Sequence, residues 1–260
     1  DLETPVSAYL KLADSQPYSC LFESVEGGAN IGRYSIIAWR PDLIWQAKDL
    51  KPSINRSPHL GTTEFEADDK PTLDSLRALM AESRVTPEPS IPPMAVGGLF
   101  GYLGYDMVRL VEDIPADNPD DLGLSDAVLM RPTLIAVFDN IDRTITIATP
   151  VRPTEGMDAK AAYEAGAQRL NDALQALNRT VPASPLLNKS AVPTGEPSSN
   201  MKPAEYMAAV EQAQRIHSGG RRVPDCPGTA FLPAIPAAAF LLIPGFAALK
   251  PLAVSVLCEL

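Results

Sequence analysis

Cysteine and histidine are nearly absent: three cysteines and two histidines in 260 residues. Cys20, Cys226 and Cys258 are too few and too scattered for a disulfide framework or a zinc site. His59 falls in a polar loop and His217 near a helix end, and neither has a metal-ligand or triad partner at a useful spacing. No Ser or Cys sits in an elbow-like nucleophile motif. A basic surplus is also missing, since 22 Lys and Arg face 32 Asp and Glu for a formal charge of −10. This argues against nucleic acid or an anionic membrane as the main partner. The longest apolar region, 230–257, is interrupted by Pro233, Pro236, Pro244 and Pro251. A spanning helix needs about 20 uninterrupted apolar residues, so no membrane segment is expected. The chain opens Asp1-Leu2-Glu3 with no basic, apolar leader, and a cytoplasmic location is expected.

What is present describes a globular protein: 45% apolar and 21% charged residues, with 26 unevenly spread prolines. The length allows one large domain or two ordinary ones. Strands are expected over 18–24, 33–40 and 43–48, the last two separated by a turn at Pro41-Asp42. Leu73, Leu76, Leu79 and Met80 predict a helix over 71–84. Segment 94–105 reads as a glycine-rich strand and turn, and 127–139 and 144–149 as a hairpin closed by 140–143. Helix 157–178 has the clearest apolar face, and a Pro/Ser/Thr-rich linker follows over 180–199. Asn200 and Pro203 open a further helix over 203–217. Strands this frequent, with few helices between them, predict an α+β fold with antiparallel sheets packed with helices.

Few residues suggest chemistry. Asp68-Asp69 and Asp120-Asp121 are acidic pairs expected on hydrated faces rather than a catalytic dyad. The run from Gly97 to Asp106 is rich in glycine, yet it lacks the Lys-Ser/Thr ending or ordered G-x-G-x-x-G of a phosphate cradle. A buried strand with close backbone approach is the expectation there. Glu23-Ser24 ends an apolar strand before Gly27-Gly28, and Gly32-Arg33-Tyr34-Ser35 opens the next. Hydroxyls at neighbouring strand ends suit either a small-ligand pocket or hairpin capping.

The run Leu21-Phe22-Glu23-Ser24-Val25-Glu26, followed by Ile31-Gly32-Arg33-Tyr34-Ser35, resembles the start of the anthranilate synthase component I family, whose feedback site carries Leu-Leu-Glu-Ser. Thr4-Pro5-Val6-Ser7-Ala8-Tyr9-Leu10 is similar to the family's preceding helix. Gly97-Gly98-Leu99-Phe100-Gly101-Tyr102-Leu103-Gly104-Tyr105-Asp106 and Val137-Phe138-Asp139 are similar to later segments, and the likeness covers about residues 1–218. Phe22 departs from the usual Leu. The resemblance implies the N-terminal portion of that family's sandwich fold: a regulatory domain over 1–150, a helix and linker over 151–200, and over 201–218 the first helix of a truncated chorismate-binding domain.

The same resemblance implies the activity. Chorismate takes up ammonia and loses pyruvate to give anthranilate, in tryptophan biosynthesis. Mg²⁺ is the family's metal, and a glutamine amidotransferase subunit supplies the ammonia. Ser24, Tyr34, Ser35, Pro5 and Glu23 correspond to the allosteric L-tryptophan site. The family's catalytic and metal-binding residues belong to a later domain, so neither kind is expected in this chain. Aminodeoxychorismate synthase of the folate pathway is the alternative family, and a non-catalytic regulatory fragment is the alternative for the chain as it stands.

The segment 219–260 departs from the resemblance. Codons compatible with residues 219–231, read one base later, spell Ala-Gly-Asp-Val-Phe-Gln-Ile-Val-Pro-Ala-Gln-Arg, the family's continuation. Lys250-Pro251-Leu252-Ala253 likewise permits Asn-Pro-Ser-Pro, a motif of the family's tryptophan site. An out-of-frame tail without a unique packed structure is expected.

Overall fold

The computed structural model describes residues 3–13, 16–25, 31–86, 91–116, 120, 122–152, 156–181, 198–199, 201–218, 231–232 and 254–259. The chain divides into two compact units, Asp1–Pro182 with Ala247–Leu260, and Ala183–Phe246.

The first helix, α1 (Pro5–Leu12), starts where its sequence dictates. Thr4 and Ser7 form a reciprocal capping box, and Pro5 occupies the first turn, where a missing N–H costs nothing. Ala8, Tyr9 and Leu12 turn inward. Lys11 pairs with Glu3 and also donates to the carbonyl of Leu177 at 3.1 Å, at the end of α3 (Ala159–Leu177). That places a cation where helix carbonyls lack partners. Asp158 caps the other end of α3.

The sheet is built on two long strands, β2 (Ile31–Lys48) and β6 (Ala127–Asp139). Beside β2 lie β1 (Ser19–Val25) and, further along, β3 (Lys51–Asn55) with the short β4 (Glu66–Ala67). Beside β6 lie β5 (Phe100–Leu103) and β7 (Thr144–Ala148). These pairings are all antiparallel. The architecture is the expected α+β mixture. α2 (Thr72–Glu82) and α3 follow the predicted helices within a few residues at their ends.

One expected feature is replaced. Pro41-Asp42 does not turn the chain; β2 runs through it, with a register shift between Pro41 and Leu43 opposite Pro132 and Arg131. Proline has no N–H to give the ladder, and a bulge is where a strand tolerates it. Asp42 is held there by Arg131 Nε at 2.7 Å. Before the bulge, Ile37 and Trp39 pack under α1 and α3 with Leu21 and Leu134. Beyond it, Leu43, Trp45 and Ala47 pack with Leu79 of α2. Trp45 Nε1 donates to Ser75 at 2.9 Å, and Ser75 donates to Asp68 at 2.7 Å. Asp68 is therefore a docking residue for α2, its side chain 13% exposed, rather than part of a hydrated face. Asp120 is exposed and paired with Lys48, and Asp121 lies outside the described residues.

Strand β5 is half-buried rather than buried, but the close backbone approach is present. A Cβ on Gly101 would meet the carbonyl oxygen of Val128 at 2.0 Å.

The second unit contains β8 (Ser198–Ser199), α4 (Pro203–Ser218) and β9 (Phe231–Leu232), with β8 and β9 paired. The Asn200 cap, nearly all of the linker and most of the tail lie outside the described residues. Against the expectation of an unpacked tail, β10 (Val254–Glu259) pairs antiparallel with β1, with Ser24 opposite Val254. A run of Val, Ser, Val, Leu and Cys has strand propensity, and β1 offers it an open edge.

Candidate functional site

The two ends of the Glu-Ser motif are fixed by the ladder between β1 and β2. Leu21 pairs with Ile37 and Glu23 with Ser35. Leu21 and Ile37 belong to the apolar cluster under α1. With a side-chain repeat of two, Glu23 and Ser35 share that face at the end of the cluster. Ser35 is 3% exposed, Glu23 half-buried and Ser24 exposed. Burial pushes the Glu23 carboxyl above its ordinary range, and no basic side chain among the described residues pairs with it. A desolvated carboxylate beside a buried hydroxyl, at the rim of an apolar cluster, suits an ammonium group attached to an apolar body.

Gly32 explains the tightness of this corner. A Cβ there would lie 2.0 Å from the carbonyl oxygen of Ser24 and 2.5 Å from its Cβ. The ladder slips between Glu23 and Val25, so Ser24 presses directly on the Gly32 backbone.

The remaining expected residues separate. Tyr34 lies one step from Ser35 and so on the other side of β2, packed with Ile36 against Ala95, Ile135 and Val137. Tyr34 and Ser35 thus face opposite sides of the strand. Pro5 is half-buried at the first turn of α1, on the helix whose Ala8 and Tyr9 cover Leu21 and Ile37. Among the described residues no hydrogen bond links the side chains of Pro5, Glu23, Ser24, Tyr34 and Ser35.

A clamp beneath the corner was not foreseen. Arg33 Nε and Nη2 donate to Asp139 at 3.0 and 2.9 Å, and the backbone N–H groups of Ile141 and Asp142 donate to the other oxygen. These donors hold the Asp139 carboxyl down at about 2, the Arg33 hydrogen bond first among them. Asn140 Nδ2 donates to the Gly32 carbonyl at 2.7 Å. The signal was the Asp-Asn step ending β6, residues whose side chains bond the backbone two positions on. The partners on β2, Arg33 and Gly32, stand more than 100 residues away, so local pattern alone did not name them.

Among the described residues no three His, Cys, Asp or Glu side chains gather where they could hold a metal ion. Nor is any described helix long and apolar enough to cross a membrane.

The sequence and fold are shared with known proteins. Anthranilate synthase component 1 of Cereibacter sphaeroides is 46% identical over 214 residues, covering 82% of this chain and 42% of that protein. The Thermus thermophilus protein of the same name is 38% identical over 162 residues, covering 62% of this chain and 32% of its own length. The chain thus spans less than half the length of these curated relatives. A crystal structure of anthranilate synthase component I from Streptococcus pneumoniae matches with a TM-score of 0.53 at 20% identity, covering 85% of this chain and 44% of that one, and supports the fold. The family described as chorismate binding enzyme matches residues 20–221, which takes in the Glu23–Ser35 corner, the Asp139 clamp and α4. Through these residues the chain belongs to the chorismate-binding enzyme family.

Proposed function

We propose that this chain is the front part of an anthranilate synthase component I, and that the Glu23–Ser35 corner is its effector-sensing face. The complete protein would convert chorismate and ammonia to anthranilate, pyruvate and water, with ammonia delivered by a glutamine amidotransferase subunit in the cytoplasm. L-Tryptophan, the end product, would inhibit it. The observation that carries the effector reading is the desolvated Glu23 carboxylate, without a basic partner among the described residues, paired across the ladder with buried Ser35. Glu23 would accept the ammonium of tryptophan, Ser24 would offer its hydroxyl to the polar end, and the α1 side near Pro5 would receive the indole. Tyr34 would support the corner from the opposite side of β2.

The chemistry is assigned to the part of the family's length that this chain does not span. Glutamates there would hold Mg²⁺, which would neutralise substrate carboxylates. On this reading the chain as it stands is a regulatory front without turnover. Residues 219–260 are proposed to be read out of frame, and sequencing the gene across the Gly219 codons tests this directly. An uninterrupted frame encoding the present tail would refute it.

Calorimetric titration of this chain with L-tryptophan tests the effector half-site. Weak or no binding is expected, because the Asn-Pro-Ser-Pro segment that would complete the pocket is absent; micromolar affinity would refute that division of the site. With chorismate, Mg²⁺ and ammonia the chain should form no anthranilate, and turnover would refute the assignment of the chemistry to the missing part. The rival reading, aminodeoxychorismate synthase, predicts a different product from the frame-restored full-length enzyme.

A further inference from the structure

The cysteines are scattered in the sequence, yet the ladder between β1 and β10 brings two of them together. Its register runs without a slip from Ser19 opposite Glu259 to Ser24 opposite Val254, and it sets Cys20 opposite Cys258. Residues opposed in an antiparallel ladder share a face. Their Cα atoms stand about 4.5 or 5.5 Å apart, according to whether the pair exchanges hydrogen bonds. A disulfide spans Cα atoms about 4.4–6.8 Å apart, so either kind of pair can be bridged without moving the backbone.

The two positions differ in their place in the sheet. On its other side β1 pairs with β2, where Ala38 stands opposite Cys20. Cys20 is 1% exposed and packs with Ala38, Ile44, Val128 and Met130. β10 is the outer strand of that sheet order, next to β1. A thiol sunk among apolar side chains is a poor nucleophile toward a reagent from solution, so exchange starts on the edge strand, at Cys258. The same ladder sets Glu23 opposite Ser255 and Ser24 opposite Val254. A bond between the two cysteines would therefore fasten β10 along the strand that carries both.

We propose that Cys20 and Cys258 form a redox clasp: two thiols under reducing conditions, and one disulfide fastening β10 to β1 when a small disulfide such as oxidised glutathione is present. The Cys258 thiolate attacks oxidised glutathione, bonding to one glutathionyl sulfur and releasing the other as glutathione. The Cys20 thiolate then attacks the Cys258 sulfur and expels the second glutathione. Two protein thiols lose two electrons and two protons, and one oxidised glutathione becomes two reduced ones. A reducing compartment keeps the clasp open. Closed, it joins distant parts of the chain and restricts the unfolded state, which stabilises the fold. The clasp belongs to the chain as it stands and does not depend on the reading given to the Glu23–Ser35 corner.

The test uses the full 260-residue chain, reduced and then held at micromolar concentration with millimolar oxidised glutathione. The reaction is quenched with acid, alkylated and digested with chymotrypsin, which cuts after Phe231 and Phe240 and so separates Cys226 from Cys258. Mass spectrometry should find Cys20 bridged to Cys258 as the main product, with Cys226 outside the bridge. The oxidised chain should melt several degrees above the reduced one. Cys258→Ser should lower the oxidised fraction of Cys20 about tenfold, since it removes a partner held at high effective concentration, and should abolish the rise in melting temperature. The peptide map of the parent chain needs no variant and stands even if Cys258→Ser folds poorly. Glutathione on Cys258 with Cys20 still a thiol, a main bridge that includes Cys226, disulfide-linked dimers as the main product, or a Cys20–Cys258 bridge formed only in denaturant would each overturn the proposal.

Discussion

Replacing Gly32 by alanine tests the contact on which the Glu23–Ser24 corner depends. The new methyl carbon would sit 2.0 Å from the Ser24 carbonyl oxygen, 2.5 Å from its carbon and 2.5 Å from its Cβ. All three belong to the backbone or its first side-chain atom, so no flexible end can move aside. Relief requires β1 and β2 to part by roughly 1 Å. Overpacking of this kind costs about 1–3 kcal/mol. Losing one ladder hydrogen bond beyond Glu23–Ser35 adds about 1 kcal/mol. The expected total is about 2–4 kcal/mol, or a drop of roughly 1 M in the urea midpoint at a slope of about 3 kcal/mol/M. Gly61→Ala is the control. It meets nothing within 4 Å but has φ +77°, so only the left-handed backbone is penalised, at about 1 kcal/mol. Urea denaturation followed by tryptophan fluorescence measures both. If Gly32→Ala costs no more than Gly61→Ala, the steric argument fails.

Further outcomes follow from the charges and the core. Asp139 is held at about 2 in the folded chain against about 3.9 for an ordinary unfolded aspartate. Its contribution is therefore complete above pH 4 and lost as pH falls through 2, and Asp139→Asn should flatten the urea midpoint over that window. Glu23 has the opposite sign. Burial raises its carboxyl, so its ionisation opposes folding as pH rises above the ordinary range. Glu23→Gln should raise the midpoint at pH 7 and leave it unchanged below pH 4; equal effects at both would refute the desolvation. Leu79→Ala empties a site 2% exposed between α2 and Trp45, and thermal or urea melts should show a loss of about 2–5 kcal/mol. Trp45→Phe removes the donor to Ser75 and should cost about 1–3 kcal/mol by the same melts.

Elements whose signals are local were legible. The apolar stripe over 157–178 marked α3, capped by Asp158, whereas α1 was expected from the resemblance alone although Thr4 and Pro5 carry its cap. The bulge at Pro41-Asp42 was not legible, because the pair has turn chemistry and only the pairing with β6 and Arg131, 89 residues away, keeps the strand going. Strand β3 was missed for a similar reason: Lys51-Pro52-Ser53 has poor strand propensity and forms only beside β2. Asp68 looked hydrated until α2 and Trp45 closed over it. In the candidate site, the resemblance named Glu23, Ser24 and Ser35, and the ladder put Glu23 opposite Ser35. Strand alternation parted Tyr34 from Ser35, a consequence available from the sequence once 33–40 was read as a strand. The Asp139 clamp required the hairpin of β6 and β7 to meet β2 and had no local signature strong enough to reveal it.

The most direct measurement is the product formed when the frame is restored beyond the His217 codon and the full-length protein is given chorismate, Mg²⁺ and ammonia. Anthranilate and pyruvate in equal amounts, suppressed by L-tryptophan in the parent and not in Glu23→Gln, is the expected result. Aminodeoxychorismate as product, or anthranilate formation indifferent to tryptophan, would contradict it.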